Sequence, residues 1–130
     1  MLRVKVKVVE SALQGKGIVA EEFIPKGTVT WQYDPDKDIA YDISEVESLD
    51  EATRTDLMRY LYLDFNLNKY ILCNDDQKFI NHSTHPNISS EPECDVAARD
   101  IQPGEELVCN YEDYEQGWFE RRGVQKEDFS

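Results

Sequence analysis

Asn81-His82-Ser83-Thr84-His85-Pro86-Asn87 and, roughly two dozen residues further on, Gly104-Glu105-Glu106-Leu107-Val108-Cys109-Asn110-Tyr111 decide how this chain is read. Either half alone is a weak signal. The first is a polar turn around Pro86. The second opens on the turn Gln102-Pro103-Gly104 and continues into a short strand over 106–109. Between the two, Val96 to Ile101 reads as another strand, and Tyr70-Ile71-Leu72-Cys73 reads as one upstream.

Working outward, Leu2, Val4, Val6 and Val8 alternate with Arg3, Lys5 and Lys7, the period of a half-buried strand. Gly15-Lys16-Gly17 breaks it, and Ile18-Val19-Ala20 begins a second strand. Pro25-Lys26-Gly27 is a turn signal. Thr28 to Tyr33 is β-branched and aromatic, a third strand. The one strong helix signal is central. Its start is either Ser44 with Glu47 or Ser48 with Glu51, both spaced as capping boxes. Leu57, Met58, Leu61 and Phe65 then fall at helical spacing. A short helix is also expected over 114–122. The expectation is a single, mainly β domain over residues 1–130 with one inserted helix.

The chain has 130 residues, enough for one modest core. With 14 basic and 27 acidic residues the formal charge is −13, which argues against direct nucleic-acid binding and either favours a basic protein partner or, read alone, merely keeps a small domain soluble. Three cysteines, Cys73, Cys94 and Cys109, imply no disulfide framework and point to a reducing, intracellular compartment. The charged N-terminus does not read as a signal peptide, and no stretch has the length of a membrane span. His82 and His85 with the three cysteines lack the paired spacing of a zinc site, so no metal is expected.

The two opening motifs, in this order, resemble those of the SET-domain protein lysine methyltransferases. The family's pattern is an N-H-S-x-x-P-N turn followed by G-E-E-L-x-x-x-Y. Further blocks resemble it as well: Gly15-x-Gly17, Ile24-Pro25-x-Gly27-x-Val29 with Tyr33, Phe79-Ile80 before Asn81, and Ala97 to Leu107. Coverage runs from Gly15 to Tyr111, about three quarters of the chain. The resemblance implies a β-clip of small curved sheets with a C-terminal pseudoknot. Three departures stand out. Gln32-Tyr33-Asp34-Pro35-Asp36 replaces E-Y-x-G-E. Asn110 replaces the usual Asp. No cysteine follows Tyr111, where many relatives carry a zinc-binding segment. The resemblance therefore leaves residues 112–130, with Trp118 and Phe119, to close the lysine channel. A partner subunit, as in a homodimer, is the alternative.

The resemblance further implies S-adenosylmethionine as methyl donor and a lysine of a basic protein, such as a histone-like tail, as acceptor. Free lysine has a pKa of about 10.4, so a neutral amine at pH 7 costs roughly 4–5 kcal/mol. An apolar channel lowers that cost by desolvation, and a nearby sulfonium lowers it further. By resemblance Tyr111 is the catalytic tyrosine, orienting the amine. Read alone, it is more readily a strand tyrosine packed in the core. Gly15, Lys16, Gly17, Asn81 and His82 are the implied cofactor contacts. Read alone, the glycines make an ordinary hairpin turn and His82 is a satisfied core histidine. Cys109, Tyr111, Trp118 and Phe119 are the implied channel residues. Many relatives place Phe or Tyr at the position of Cys109, and a smaller side chain there leaves room for higher methylation. A catalytically silent SET-type binding module is the competing reading.

Overall fold

A computed structural model describes residues 1–129, with side chains described through residue 127. Four small sheets carry the fold. Strand β1 (Val6–Glu10) pairs antiparallel with β2 (Lys16–Ala20). The alternation in the first eight residues holds as burial, since Leu2, Val4, Val6 and Val8 are half-buried and Arg3, Lys5 and Lys7 exposed. The ladder nevertheless starts only at Val6, because Leu2 bridges Trp31 instead. Strand β3 (Val29–Gln32) belongs to a second sheet, β4 (Ile39–Asp42) to a third.

The central segment departs from the expected single helix. Two short helices occur, α1 (Ile43–Glu47) and α2 (Glu51–Met58). Neither expected serine starts them. Asp42 precedes α1, with its N–H donating to Glu45 at 3.0 Å, and Asp50 caps α2 by accepting from the Thr53 N–H at 3.0 Å. Aspartate serves a helix start as well as serine does. Leu61 does not continue α2. It opens β5 (Leu61–Asp64), where Leu61 and Leu63 are buried and Tyr62 and Asp64 half-buried. That period of two outweighs the helical spacing because β6 (Lys69–Leu72) supplies a hydrogen-bonding partner along its whole length. The Asp64 carboxylate accepts from the Asn66 and Leu67 N–H groups and closes the hairpin between them. β6 pairs on its other edge with β4. Val46, Leu61, Leu63 and Tyr70 bury a small core of this insert.

Strand β7 (Asn81–His82) follows, then β8 (Ile88–Glu91) and β9 (Cys94–Ala97). The second sheet runs β3-β9-β8, all antiparallel. Strand β10 (Val108–Cys109) pairs parallel with β7. It is gripped on both sides: the Leu107 N–H donates to Ile18 O at 2.9 Å, and the Val108 N–H donates to the Asn87 side chain at 2.8 Å. Ile18, Ile24, Ile88, Ile101 and Leu107, each 1% exposed or less, form the main core around this crossing. The expected tail helix is split into α3 (Tyr111–Tyr114) and α4 (Trp118–Arg122), separated by an inward-turned Glu115. No helix among the described residues is long and apolar enough to cross a membrane.

Candidate active site

Tyr111 opens α3, with only Asn110 between it and β10, and β10 fixes where it points. Its N–H donates to His82 Nδ1 at 3.1 Å, and its phenol donates to Ile80 O at 2.6 Å. Burial pushes the phenol pKa above its ordinary value, so the ring stays neutral. Because the hydroxyl hydrogen is committed to Ile80, the oxygen's lone pairs are left to accept from another group. Tyr111 sits at the junction of two cavities and lines both, as Ile80 and Trp118 do.

The larger cavity, about 930 Å³, is lined by Gly15, Lys16, Asn81, Phe79 and Arg54 among others. Asn81 organises its rim. Its side-chain amide donates within range of Gln14 O at 3.1 Å, Lys16 O at 3.0 Å and Glu106 Oε2 at 3.0 Å. Glu106 is held in turn by the Ser11 hydroxyl at 2.8 Å. Gly17 lies behind this cluster. A Cβ at Gly17 would stand 2.5 Å from Glu106 Oε2 and 3.0 Å from Asn81 Nδ2, so only glycine lets the three meet. A Cβ on Gly15 would meet nothing within 4 Å, which keeps the backbone there open to a ligand. His82 lines neither cavity. It is 1% exposed, packed edge-on against Phe119 at 4.9 Å, and burial lowers its pKa, so it is a neutral core imidazole.

The smaller cavity, about 280 Å³, lies on the other side of Tyr111. Cys109 lines it, with its thiol pKa pushed well up by burial, so it acts as a small neutral wall. Trp118 packs 4.6 Å from Tyr111. Phe119 stacks on Tyr111 from behind at 6.3 Å and reaches neither cavity.

Two features are not legible in the sequence. Glu115, 0% exposed, accepts from both terminal nitrogens of Arg122 at 2.7 and 3.1 Å and from the Leu63 N–H at 2.7 Å. Arg122 also donates to Met58 O and Leu61 O, and its guanidinium lies 4.2 Å from the Trp118 ring centre. This ties the C-terminal segment to the insert. In sequence, Glu115 and Arg122 stand seven apart in what reads as one helix, where they look like solvated charges. The second feature is Asp95. The apolar residues Cys94 and Val96 look like the inward pair of β9, but the structure reverses this: Asp95 and Ala97 are buried, and Asp95 lines the smaller cavity. Burial raises its carboxyl pKa to about 7.

Among the described residues no group of three or more His, Cys, Asp or Glu is placed to hold a metal. A SET domain family model matches residues 15–112. No curated protein matches the chain in sequence. Solved structures do. One is an active polycomb repressive complex 2 in the basal state, at 25% identity and TM-score 0.62, covering 85% of this chain and 15% of that one. A Plasmodium falciparum histone methyltransferase candidate matches at 22% identity and TM-score 0.60, covering 85% of this chain and 95% of its own. A humanized Chaetomium thermophilum polycomb repressive complex 2, bound to the inhibitor GSK126, matches at 24% identity and TM-score 0.60 over 90% of this chain and 16% of that one. This chain thus spans about 15% of the length of the first of these. With two cavities meeting at the tyrosine of the last motif, and a family model matching three quarters of its length, the chain belongs to the SET-domain family.

Proposed function

We propose that this chain is a protein-lysine N-methyltransferase that uses S-adenosylmethionine and acts on a basic protein or peptide of the histone-tail kind. The observation that carries this reading is the position of Tyr111 between two cavities, one fit for a cofactor and one for a side chain. The larger cavity suits S-adenosylmethionine in size and in chemistry. Arg54 and Lys16 can meet a carboxylate, Glu47 and Glu51 an ammonium, and Phe79 and Trp118 a flat base. When bound there, the cofactor supplies an electrophilic methyl group.

The chain's own residues do the rest. The Tyr111 oxygen, its hydrogen given to Ile80, accepts from a substrate amine N–H and so aims the nitrogen lone pair. Trp118 and Cys109 exclude water from the smaller cavity, which favours the neutral amine. Cys109 leaves more space beside the amine than a ring would, and we infer products beyond monomethyl-lysine. The grip on β10 by β2 and the 81–87 turn is read as the family's pseudoknot. The same reading makes residues 1–130 one domain acting inside the cell. The polycomb complexes are similar in fold, and a further one, at 25% identity and TM-score 0.60, is described in complex with H3K27me3 and H3K27M, which supports a histone-like substrate.

The test is transfer of labelled methyl from S-adenosylmethionine to a panel of basic proteins, core histones included. Label on lysine is expected, falling at least 100-fold in Tyr111→Phe while cofactor affinity stays within about threefold. Cofactor binding with no label on any protein would favour the silent binding module.

A further inference from the structure

The β3-β9-β8 sheet sets three polar side chains in one row. Trp31 on β3 and Ser90 on β8 are the cross-strand partners of Asp95 on β9. Partners in an antiparallel ladder share a face. All three line the smaller cavity with Tyr111 and Cys109. Asp95 is 8% exposed. One of its oxygens accepts from Gln77 Nε2 at 2.8 Å, and among the described residues no cation pairs with it. Trp31 Nε1 and Ser90 Oγ are buried with no hydrogen-bond partner. The Ser90 hydroxyl is near enough to pull the Asp95 pKa down, yet it lies outside hydrogen-bond geometry. A buried carboxylate without a cation is costly, and so is a buried polar atom without a partner. Asp95 and the Ser90 hydroxyl can both accept, so together they fit a ligand that ends in a cationic nitrogen, while the Trp31 indole N–H, a donor only, lies beside them as a reporter of occupancy. The rim agrees: Asp64, Glu91, Glu93 and Asp113 outnumber Arg59 and Lys78.

Resting on the methyltransferase reading, we propose that Asp95 and Ser90, beside Trp31 in this row, receive the ammonium end of the substrate lysine and that Asp95 takes its proton. An ammonium alone would be a dead end, since its nitrogen has no lone pair to attack with. In the step, one N–H bond of the ammonium breaks, the nitrogen keeps the electron pair, and an O–H bond forms on Asp95. Ammonium and carboxylate become amine and carboxylic acid, both neutral, which a water-poor cavity favours. The proton leaves Asp95 for solvent after the product departs. Burial, which brings the Asp95 pKa to about 7, suits a group that must both take and release a proton near neutrality. The other titratable groups facing it do not compete. Burial pushes up the thiols of Cys73 and Cys109 and the phenols of Tyr62, Tyr111 and Tyr114, which therefore stay neutral.

The first experiment uses n-butylammonium, a lysine side-chain mimic, on the full chain, followed by NMR of the Trp31 indole N–H resonance, assigned with Trp31→Phe. A saturable shift is expected, absent with n-butanol, with affinity at least tenfold lower in Asp95→Asn. No shift, or equal affinity in the variant, would overturn the site. The second is the pH profile of kcat/KM for lysine methylation. Asp95→Asn should lose at least tenfold at pH 7, and the deficit should shrink as pH approaches the lysine's own pKa. A pH-independent deficit would overturn the proton-acceptor role. Probe binding at the row without methyl transfer to any protein would count against the methyltransferase reading alone and would leave the row standing as an ammonium site.

Discussion

Single residues set the limits of this site. Glu106 is the clearest case, because Ser11, Asn81 and the bare backbone of Gly17 all close on one carboxylate. Gly17→Ala puts a methyl 2.5 Å from Glu106 Oε2, and that side chain cannot swing away without releasing Asn81. The expected result is a destabilisation of about 1–3 kcal/mol in urea unfolding. Cofactor affinity should also fall, although Gly17 itself does not line the cavity. Asp95 makes a prediction of opposite sign. Its folded pKa of about 7 lies above the usual carboxylate value, so between about pH 4 and pH 7 the folded state holds a proton that the unfolded state has lost. Stability contributed by this group therefore falls as pH rises through that window, by up to about 1.4 kcal/mol per pH unit, and levels off above it. Asp95→Asn removes the dependence. The variant should match the parent near pH 4 and be the more stable protein at pH 7.5, as read by paired urea melts. A gain in stability at a loss of activity is the usual sign of a strained functional group.

Among the elements, α3 and α4 depend on the insert more than on their own length. Four or five residues do not hold a helix in water. The Glu115–Arg122 pair, with both side chains nearly or fully buried, anchors them to β5 and to the end of α2. Removing Arg122 leaves the buried Glu115 carboxylate with only the more distant Arg121 guanidinium, at 3.7 Å, and without its short hydrogen bonds. Arg122→Ala should cost about 3–5 kcal/mol in equilibrium unfolding. The double change Glu115→Gln, Arg122→Met should cost less than Arg122→Ala alone, which a double-mutant cycle would show. If the single change proved neutral, the closing segment would have to be held by Trp118 and Phe119 packing alone. The insert departs from its sequence pattern for a physical reason. Leu57, Met58, Leu61 and Phe65 carry a helical spacing, while Leu61 and Leu63 carry a strand spacing, and the two overlap. The turn residues Asp64, Asn66 and Asn68, the last at φ 56°, are the local signal for the hairpin.

For the whole molecule, the proposed preference for a basic partner rests on charge. A formal charge of −13 on 130 residues steers basic partners toward an acidic rim. Exposed charges are screened within about 10 Å at 0.1 M salt. The apparent KM for a basic peptide should therefore rise at least tenfold between about 0.05 and 0.5 M salt. Affinity for S-adenosylmethionine should change far less, because the cavity proposed for it is lined by both signs. Equal salt sensitivity for peptide and cofactor would show that the acidity serves solubility rather than recognition.

The sequence by itself determined the family and the order of its parts. Motifs such as Asn81 to Asn87 and Gly104 to Tyr111 are local strings, and their turns, strand periods and spacing survive without coordinates. It also placed Tyr111, because that tyrosine is defined by its neighbours in the chain. Only the tertiary structure decided which side chains share a cavity. Strand β9 acquires its inward face from β3 and β8, so Asp95 is turned inside by pairing and not by its own neighbours in sequence. Glu115 is buried because β5, more than fifty residues earlier in the chain, offers it an N–H at 2.7 Å. His82 and Phe119 belong with the site by adjacency in the chain yet lie behind it, since β10 turns only one face of this cluster toward the cavities. The physical reason is common to all of these cases. Periodicity reports the face an isolated element prefers, whereas burial of a charge is set by long-range partners that no local window contains.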